Sequence, residues 1–122
     1  MSNLNDTVKV AESLARTASW AAQIRNPHGK YGRLVIDVTG IVTAPSVVAT
    51  IRAVDRVSGK KSDVLASVAL TGVATTVLKV GPALTAAANL VANDVMPPLI
   101  EVNFAHANGD SITYSASLEL VQ

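Results

Sequence analysis

Short apolar runs separated by turn residues follow one another along the chain from about residue 33 onward. This rhythm predicts antiparallel strands rather than helices, seven or eight in number. The alternation is clearest between Ile112 and Leu120, where every second residue is apolar and the residues between them are Thr, Ser, Ser and Glu. Successive side chains of a strand point to opposite faces. One face of this strand is therefore predicted to lie in a core and the other to be polar.

Residues 99–106 have the same half-buried pattern, with apolar side chains on one face and Glu101 and Asn103 on the other. Asn108-Gly109 accepts the positive φ angles of a tight turn, so we predict a hairpin between residues 99–106 and 111–121. Two sheets packed face to face satisfy strands of this kind. The predicted fold is an all-β antiparallel sandwich, of which the jelly roll is one form.

Further strands are predicted at residues 33–39 and 46–57, which are rich in β-branched residues. Residues 63–70 and 74–80 are predicted to form a second hairpin around Thr71-Gly72. The segment 81–98 breaks the pattern with its prolines and is predicted to be an ordered crossover between strands.

The N-terminal third allows two interpretations. Residues 11–24 have the composition for a helix, but its apolar face would be narrow and built mainly of alanine. We therefore favour strands at residues 7–10 and 19–24. The predicted organisation is an N-terminal arm over residues 1–15 and a β-sandwich domain over residues 16–122.

Composition limits the classes of function. The chain has 122 residues, 49% hydrophobic and 16% charged, which suits one folded domain that assembles with others. A formal charge of +1 without a basic stripe makes nucleic acid a poor partner. There is no cysteine, no apolar run long enough to span a membrane and no signal-peptide pattern at the N-terminus.

Candidate chemistry is sparse. Gly59-Lys60-Lys61-Ser62 lacks the earlier glycine of a phosphate-binding loop, because Val54 stands in its place. Asp55 and Asp63 flank this turn, and charge pairing with the neighbouring basic residues explains them better than a calcium site. His106 is isolated, which is typical of a structural histidine, and no serine lies in a nucleophile motif. We expect no enzyme activity, no catalytic residue, no metal and no cofactor.

Contact residues are expected in two places. The loop of residues 26–32 combines turn residues with a basic group, an aromatic ring and an imidazole, although a plain surface connector has the same composition. Two interpretations are open for Trp20 and Tyr31: they cluster at one contact, or they have a partly buried packing role. An N-terminal arm over residues 2–10 has the reach to contact a neighbouring subunit. The candidate partner-binding residues are Asn3, Leu4, Val8, Val10, Trp20, His28 and Tyr31.

Several phrases together resemble a group of small proteins encoded among the structural genes of tailed bacteriophages. They are Arg16-Thr17-Ala18-Ser19 and residues 34–39, 55–60, 84–89, 92–97 and 110–115. The resemblance covers most of the chain from about residue 16, and its phrases are turns and strands without chemistry. It implies a virion structural protein of the capsid decoration or head accessory type.

The predicted function is therefore a capsid decoration or cement protein that binds and reinforces the head shell. The expected partners are the major capsid protein or other virion proteins and further copies of the chain, with a trimer favoured. The expected location is the virion, after assembly in the host cytoplasm. A tail or head-to-tail connector component is the alternative within this class. A glycan- or ligand-binding β-sandwich module is the alternative of another class.

Overall fold

A computed structural model describes residues 5–122, which form nine β-strands and no helix. The strands are β1 (Asp6–Arg16), β2 (Trp20–Arg25), β3 (Tyr31–Ile41), β4 (Val47–Val54), β5 (Lys61–Ala66), β6 (Ala74–Gly81), β7 (Val91–Asn93), β8 (Leu99–His106) and β9 (Ile112–Val121).

The strands form two sheets that pack face to face. One sheet has the order β1-β9-β3-β6-β7 and the other has the order β2-β8-β4-β5. All pairs are antiparallel except β6 with the three-residue β7. The nested pairs β1–β9, β2–β8, β3–β6 and β4–β5 define a jelly roll, a sandwich of eight strands in two Greek keys. The predicted sandwich is confirmed, and β7 raises the number of strands above the seven or eight expected.

Strands also form the N-terminal third of the described chain. β1 pairs with β9 and β2 pairs with β8, so the interpretation of residues 11–24 as strand is confirmed and no helix forms there. The structure describes residues 5–15 of the predicted arm, and residues 6–15 lie within β1. β1 is an edge strand of the five-stranded sheet, and its pairing with β9 is interrupted by bulges.

The predicted hairpin between residues 99–106 and 111–121 is wrong, because β8 and β9 belong to different sheets. A tight turn of this type needs positive φ at both central residues. Neither Asn108 nor Gly109 has positive φ. Instead Asn108 Nδ2 donates to the Ala44 carbonyl over 3.0 Å, and Asp110 Oδ2 accepts from the Ala44 N–H. The segment after β8 is therefore held to the loop between β3 and β4 as it crosses between the sheets.

The second predicted hairpin, between residues 63–70 and 74–80, is also wrong. β5 lies in the four-stranded sheet and β6 in the five-stranded sheet. After β5 the chain stays beside β4, since the Ser67 N–H donates to the Ala49 carbonyl and Leu70 bridges to Val47. The chain crosses to the other sheet only beyond these bonds. The adjacent pair β4 and β5 does form a hairpin around residues 55–60. Residues 81–98 form the predicted crossover and also contain β7.

The core lies between the sheets, and the alternation predicted for β9 is confirmed. Tyr114 and Leu118 have no exposed surface, whereas Ser117 on the opposite face is partly exposed. At one end of the sandwich lie the loops of residues 26–30, 55–60 and 94–98, and we call this the groove end. At the other end lie the loops of residues 17–19, 42–46, 67–73 and 107–111.

Candidate functional site

Three of the four aromatic residues of the chain form one cluster with His106, at the end opposite the groove end. Trp20 stacks on Phe104 with ring centroids 4.9 Å apart, and Phe104 stacks on Tyr114 at 5.1 Å. Trp20 Nε1 donates to the Tyr114 hydroxyl over 2.6 Å, and His106 Nε2 lies 3.1 Å from the same hydroxyl. Since Tyr114 lies in β9 and the other three residues in β2 and β8, the cluster joins the two sheets.

Arg16 closes this cluster at the edge of the sandwich. Its guanidinium lies 4.7 Å from the Tyr114 ring centroid and 5.1 Å from that of Trp20, within range of cation–π attraction. It also donates to the carbonyls of Tyr114, Leu14 and Glu12. These bonds lie beside the bulge where β1 and β9 lose their regular register. All donors used by Arg16 serve the fold, so this side chain acts as a structural brace.

His106 is the titratable group of the cluster. Burial lowers its pKa below the ordinary value, and the positive charge of Arg16 lowers it further. Its Nδ1 atom is buried and has no hydrogen-bond partner among residues 5–122. The neighbouring Tyr114 hydroxyl has a raised pKa, chiefly because it is buried. Both directions favour the neutral forms of the imidazole and the phenol, which pack against each other between the two sheets.

Glu101 is a charged side chain that the strand pattern places on the outer, polar face, yet it is 2% exposed. Its Oε2 lies 2.7 Å from Lys61 Nζ, and its Oε1 lies 3.5 Å from the guanidinium of Arg52. Arg52 in turn binds Asp63 at 2.8 Å. The register places Gln23, Glu101, Arg52 and Asp63 in one row across the four-stranded sheet. The Lys61 hydrogen bond is the main cause of a lowered pKa at Glu101, so its carboxylate is stabilised in the charged form.

An open groove crosses the groove end beside this row. One part of it, of about 590 Å³, is lined by residues 53–56, 60–62 and 97–98. A second part, of about 420 Å³, is lined by Arg25, Asn26, Pro27, Arg56 and Pro98. Since Arg56 and Pro98 line both parts, they form one continuous groove.

The strand order explains why two distant arginines meet there. Arg25 ends β2 and Arg56 follows β4, and these are the two strands that flank β8. Pro98 immediately precedes β8 and so lies between the arginines. The Asn26 N–H donates to the Pro98 carbonyl over 2.9 Å. The groove therefore has a proline floor with a guanidinium on each side, and we call it the arginine groove.

The basic residues of the arginine groove are mostly unpaired. Within residues 5–122, no ion pair or hydrogen bond involves the side chain of Arg25, Arg56 or Lys60. Lys61 is the exception because it binds Glu101. The expected charge pairing of Asp55 with these basic residues is wrong. Its carboxylate accepts from the Val57 N–H and the Ser58 hydroxyl, and these bonds lower its pKa.

The structure separates the predicted partner-binding residues. His28 and Tyr31 lie at the groove end, where His28 shares a small depression of about 190 Å³ with Arg25 and Asn26. The Tyr31 ring lies against Gly81, where any side chain would collide with it. Trp20 begins β2 at the opposite end, so Trp20 and Tyr31 do not form one contact. Two further candidates, Val8 and Val10, pack against the core from β1. The remaining candidates, Asn3 and Leu4, lie outside the described residues.

The sequence did not point to Arg25 and Arg56 because they lie 31 residues apart, one at the end of a strand and the other in a turn. Their common feature is visible in the sequence, since each follows or ends a strand and stands beside a turn. Only the sheet order places them together. In the described range no group of three acidic or histidine side chains is placed to hold a metal ion. That range also contains no helix with the length and hydrophobicity of a membrane span.

Comparison with known proteins identifies no family for this chain. No protein-family model and no curated protein matches the chain. One chain in a solved structure of the Gx strain of infectious bursal disease virus is similar over 94% of this chain and 30% of its own length. The identity is 16% and the TM-score 0.49. This chain thus spans under one third of the length of the protein it resembles.

Proposed function

We propose that the protein is a structural subunit of a bacteriophage virion, a capsid decoration protein that binds the assembled head shell and reinforces it. The observation that carries the proposal is the arginine groove, an open surface with unpaired basic side chains at the ends of firmly paired strands. Such a surface suits docking on another protein. A rigid sandwich holds it in a fixed orientation, and repetition on a lattice makes weak single contacts strong.

The phage context of this proposal comes from the resemblance of six sequence phrases to small virion proteins. In the aromatic cluster the Trp20 N–H, the Tyr114 hydroxyl and the Arg16 guanidinium bind within the fold, and in the Glu101 row the carboxylate is bound by Lys61. The proposed role is non-enzymatic and needs no cofactor. The proposed partners are the major capsid protein and further copies of this chain, and the proposed location is the virion after assembly in the host cytoplasm.

The experiment is to locate the chain in particles of the phage that encodes it. Electron cryomicroscopy compares particles made with and without the gene, and quantitative mass spectrometry gives the copy number. We expect extra density on the outer shell surface and many copies per particle. A few copies confined to the neck or tail would favour a connector instead. Absence of the chain from purified particles would overturn the proposal.

A further inference from the structure

We propose that the arginine groove binds a carboxylate-rich, extended segment of the protein on which this chain docks. The inference deepens the proposed function and rests on it for the identity of the partner. The chemical preference of the groove is testable without any virion.

The unpaired charges of the groove favour an acidic partner. Arg25 and Arg56 face one groove and neither has an ionic partner within residues 5–122. Asp55, the acid next to Arg56 in sequence, is already bound by its own turn. A guanidinium presents parallel N–H donors that match the two oxygens of a carboxylate. Two such groups on one groove are therefore unused sites for carboxylates.

Hydrogen bonds within the chain form the groove before any partner binds. Asn26 is 5% exposed, and its side chain donates to the Gly29 and Pro97 carbonyls while accepting from the Gly29 N–H. These bonds hold the loop after β2 against Pro97-Pro98. Because prolines have restricted backbones, the floor loses little conformational freedom when a ligand binds.

The span of the groove suits an extended segment. The register aligns Arg25 with Leu99 of β8 and Ala53 of β4 with Ile100, so Arg25 and the end of β4 are two strand spacings apart, or about 10 Å, and Arg56 lies two residues beyond that end. About three residues of an extended chain cover this distance. One carboxylate for each arginine therefore fits a short extended segment better than a single small anion.

The groove favours a protein segment over a nucleic acid. None of the described residues that line it is aromatic, so residues 5–122 offer no platform there on which bases stack. The whole chain has a formal charge of +1, whereas phosphate backbones are held by many cations.

The test uses the whole chain and a labelled peptide of about eight residues that alternates Glu with Gly, a spacing that offers carboxylates to both arginines. Binding is measured by fluorescence anisotropy at low and at physiological salt, because exposed charge pairs are screened by salt. The peptide with Gln in place of Glu is the ligand control. The double variant Arg25→Ala/Arg56→Ala is compared with Lys9→Ala/Lys79→Ala, which removes the same charge from exposed positions outside the groove.

We expect the groove variant to bind the Glu peptide about tenfold more weakly and the control variant less than about twofold more weakly. Both variants should unfold at nearly the wild-type temperature, since the four side chains are exposed. If the double variant misfolds, the contrast is read from Arg56→Ala against Lys79→Ala, with a loss of about threefold. Equal losses in both variants, or equal binding of the Gln peptide, would overturn the inference. So would tighter binding of a single-stranded oligonucleotide through the same arginines.

Attachment to particles separates this inference from the proposed function. Peptide binding through the arginines by a chain that is absent from particles would sink the decoration role and leave the groove assignment standing. A groove variant that decorates particles as the wild type does, with peptide binding also unchanged, would sink the groove assignment alone.

Discussion

Trp20 Nε1 donates a hydrogen bond to the Tyr114 hydroxyl over 2.6 Å, and this bond connects the two sheets of the sandwich. The same hydroxyl lies 3.1 Å from His106 Nε2. One phenolic oxygen thus serves two partners from the opposite sheet. The stability of the sheet-to-sheet contact at this edge should therefore depend strongly on Tyr114.

Tyr114→Phe removes that oxygen and leaves both partners without it. We expect the free energy of unfolding to fall by about 1–3 kcal/mol, the usual cost of leaving buried polar groups unpaired. Urea titration followed by tryptophan fluorescence measures it. Tyr31→Phe is the matched control, because Tyr31 is 36% exposed and no hydrogen bond involves its hydroxyl in residues 5–122. Equal effects of the two substitutions would contradict the role of the Tyr114 hydroxyl.

His106 should make the fold sensitive to mild acid. Burial lowers its pKa below the ordinary value of 6.5, so the unfolded chain takes up a proton at a higher pH than the folded chain. Stability is then lost as the pH falls below about 6.5 and continues to fall down to the folded-state pKa. We compare the free energy of unfolding at about pH 7.5 and about pH 5, which lie on either side of 6.5. The loss between these two pH values should be smaller in His106→Gln than in the wild type. Parallel pH profiles of wild type and variant would exclude His106 as the cause.

Glu101→Gln tests the buried carboxylate on the outer face of the four-stranded sheet. The substitution keeps the shape but removes the charge that binds Lys61 at 2.7 Å. We expect a loss of about 1–2 kcal/mol, since both basic partners are partly exposed and regain water. Thermal and urea unfolding provide the measurement. Glu119→Gln is the control. The Glu119 carboxylate lies 3.9 Å from Arg33, which is half-exposed, so the free energy of unfolding should change by less than about 0.5 kcal/mol.

Adjacent residues of β9 should differ sharply in their sensitivity to truncation. Leu118 is fully buried, so Leu118→Ala should cost about 2–5 kcal/mol. Ser117 points to the outer face, and Ser117→Ala should change stability by less than about 0.5 kcal/mol. Urea midpoints of the two variants check the assignment of faces. An inverted ranking would mean that the strand is shifted by one residue.

Self-association remains a prediction from composition. A chain with 49% hydrophobic and 16% charged residues has few charges to keep it monomeric, and Val57 is 96% exposed at the groove end. We expect a homo-oligomer, with a trimer favoured because it matches the threefold positions of an icosahedral shell. Light scattering and sedimentation measure the assembly state. A stable monomer at micromolar concentration that also fails to associate on added capsids would refute the prediction.

The alternation of apolar and polar residues predicted which side chains of β9 are buried, because successive side chains of a strand between core and solvent point to opposite faces. The alternation does not show which strands pair with one another, and both predicted hairpins join strands that lie in different sheets. Asn108-Gly109 has the composition of a tight turn, but local turn chemistry does not reveal whether the flanking strands share a sheet. Glu101 lies on the outer face as predicted. Its burial there could not be predicted from its own strand, because its partner Lys61 belongs to β5. Arg25 and Arg56 meet only through the order of the sheet.

The position of β9 between β1 and β3 has a consequence for synthesis. A ribosome makes the eight other strands first, so β1 must wait for a partner that is translated about a hundred residues later. A chain that stops before residue 112 lacks the strand that joins β1 to the remainder of its sheet. It also lacks Tyr114, the contact of the aromatic cluster in that sheet. We therefore expect an incomplete chain to leave β1 without its partner strand and to be cleaved by proteases more readily than the whole chain.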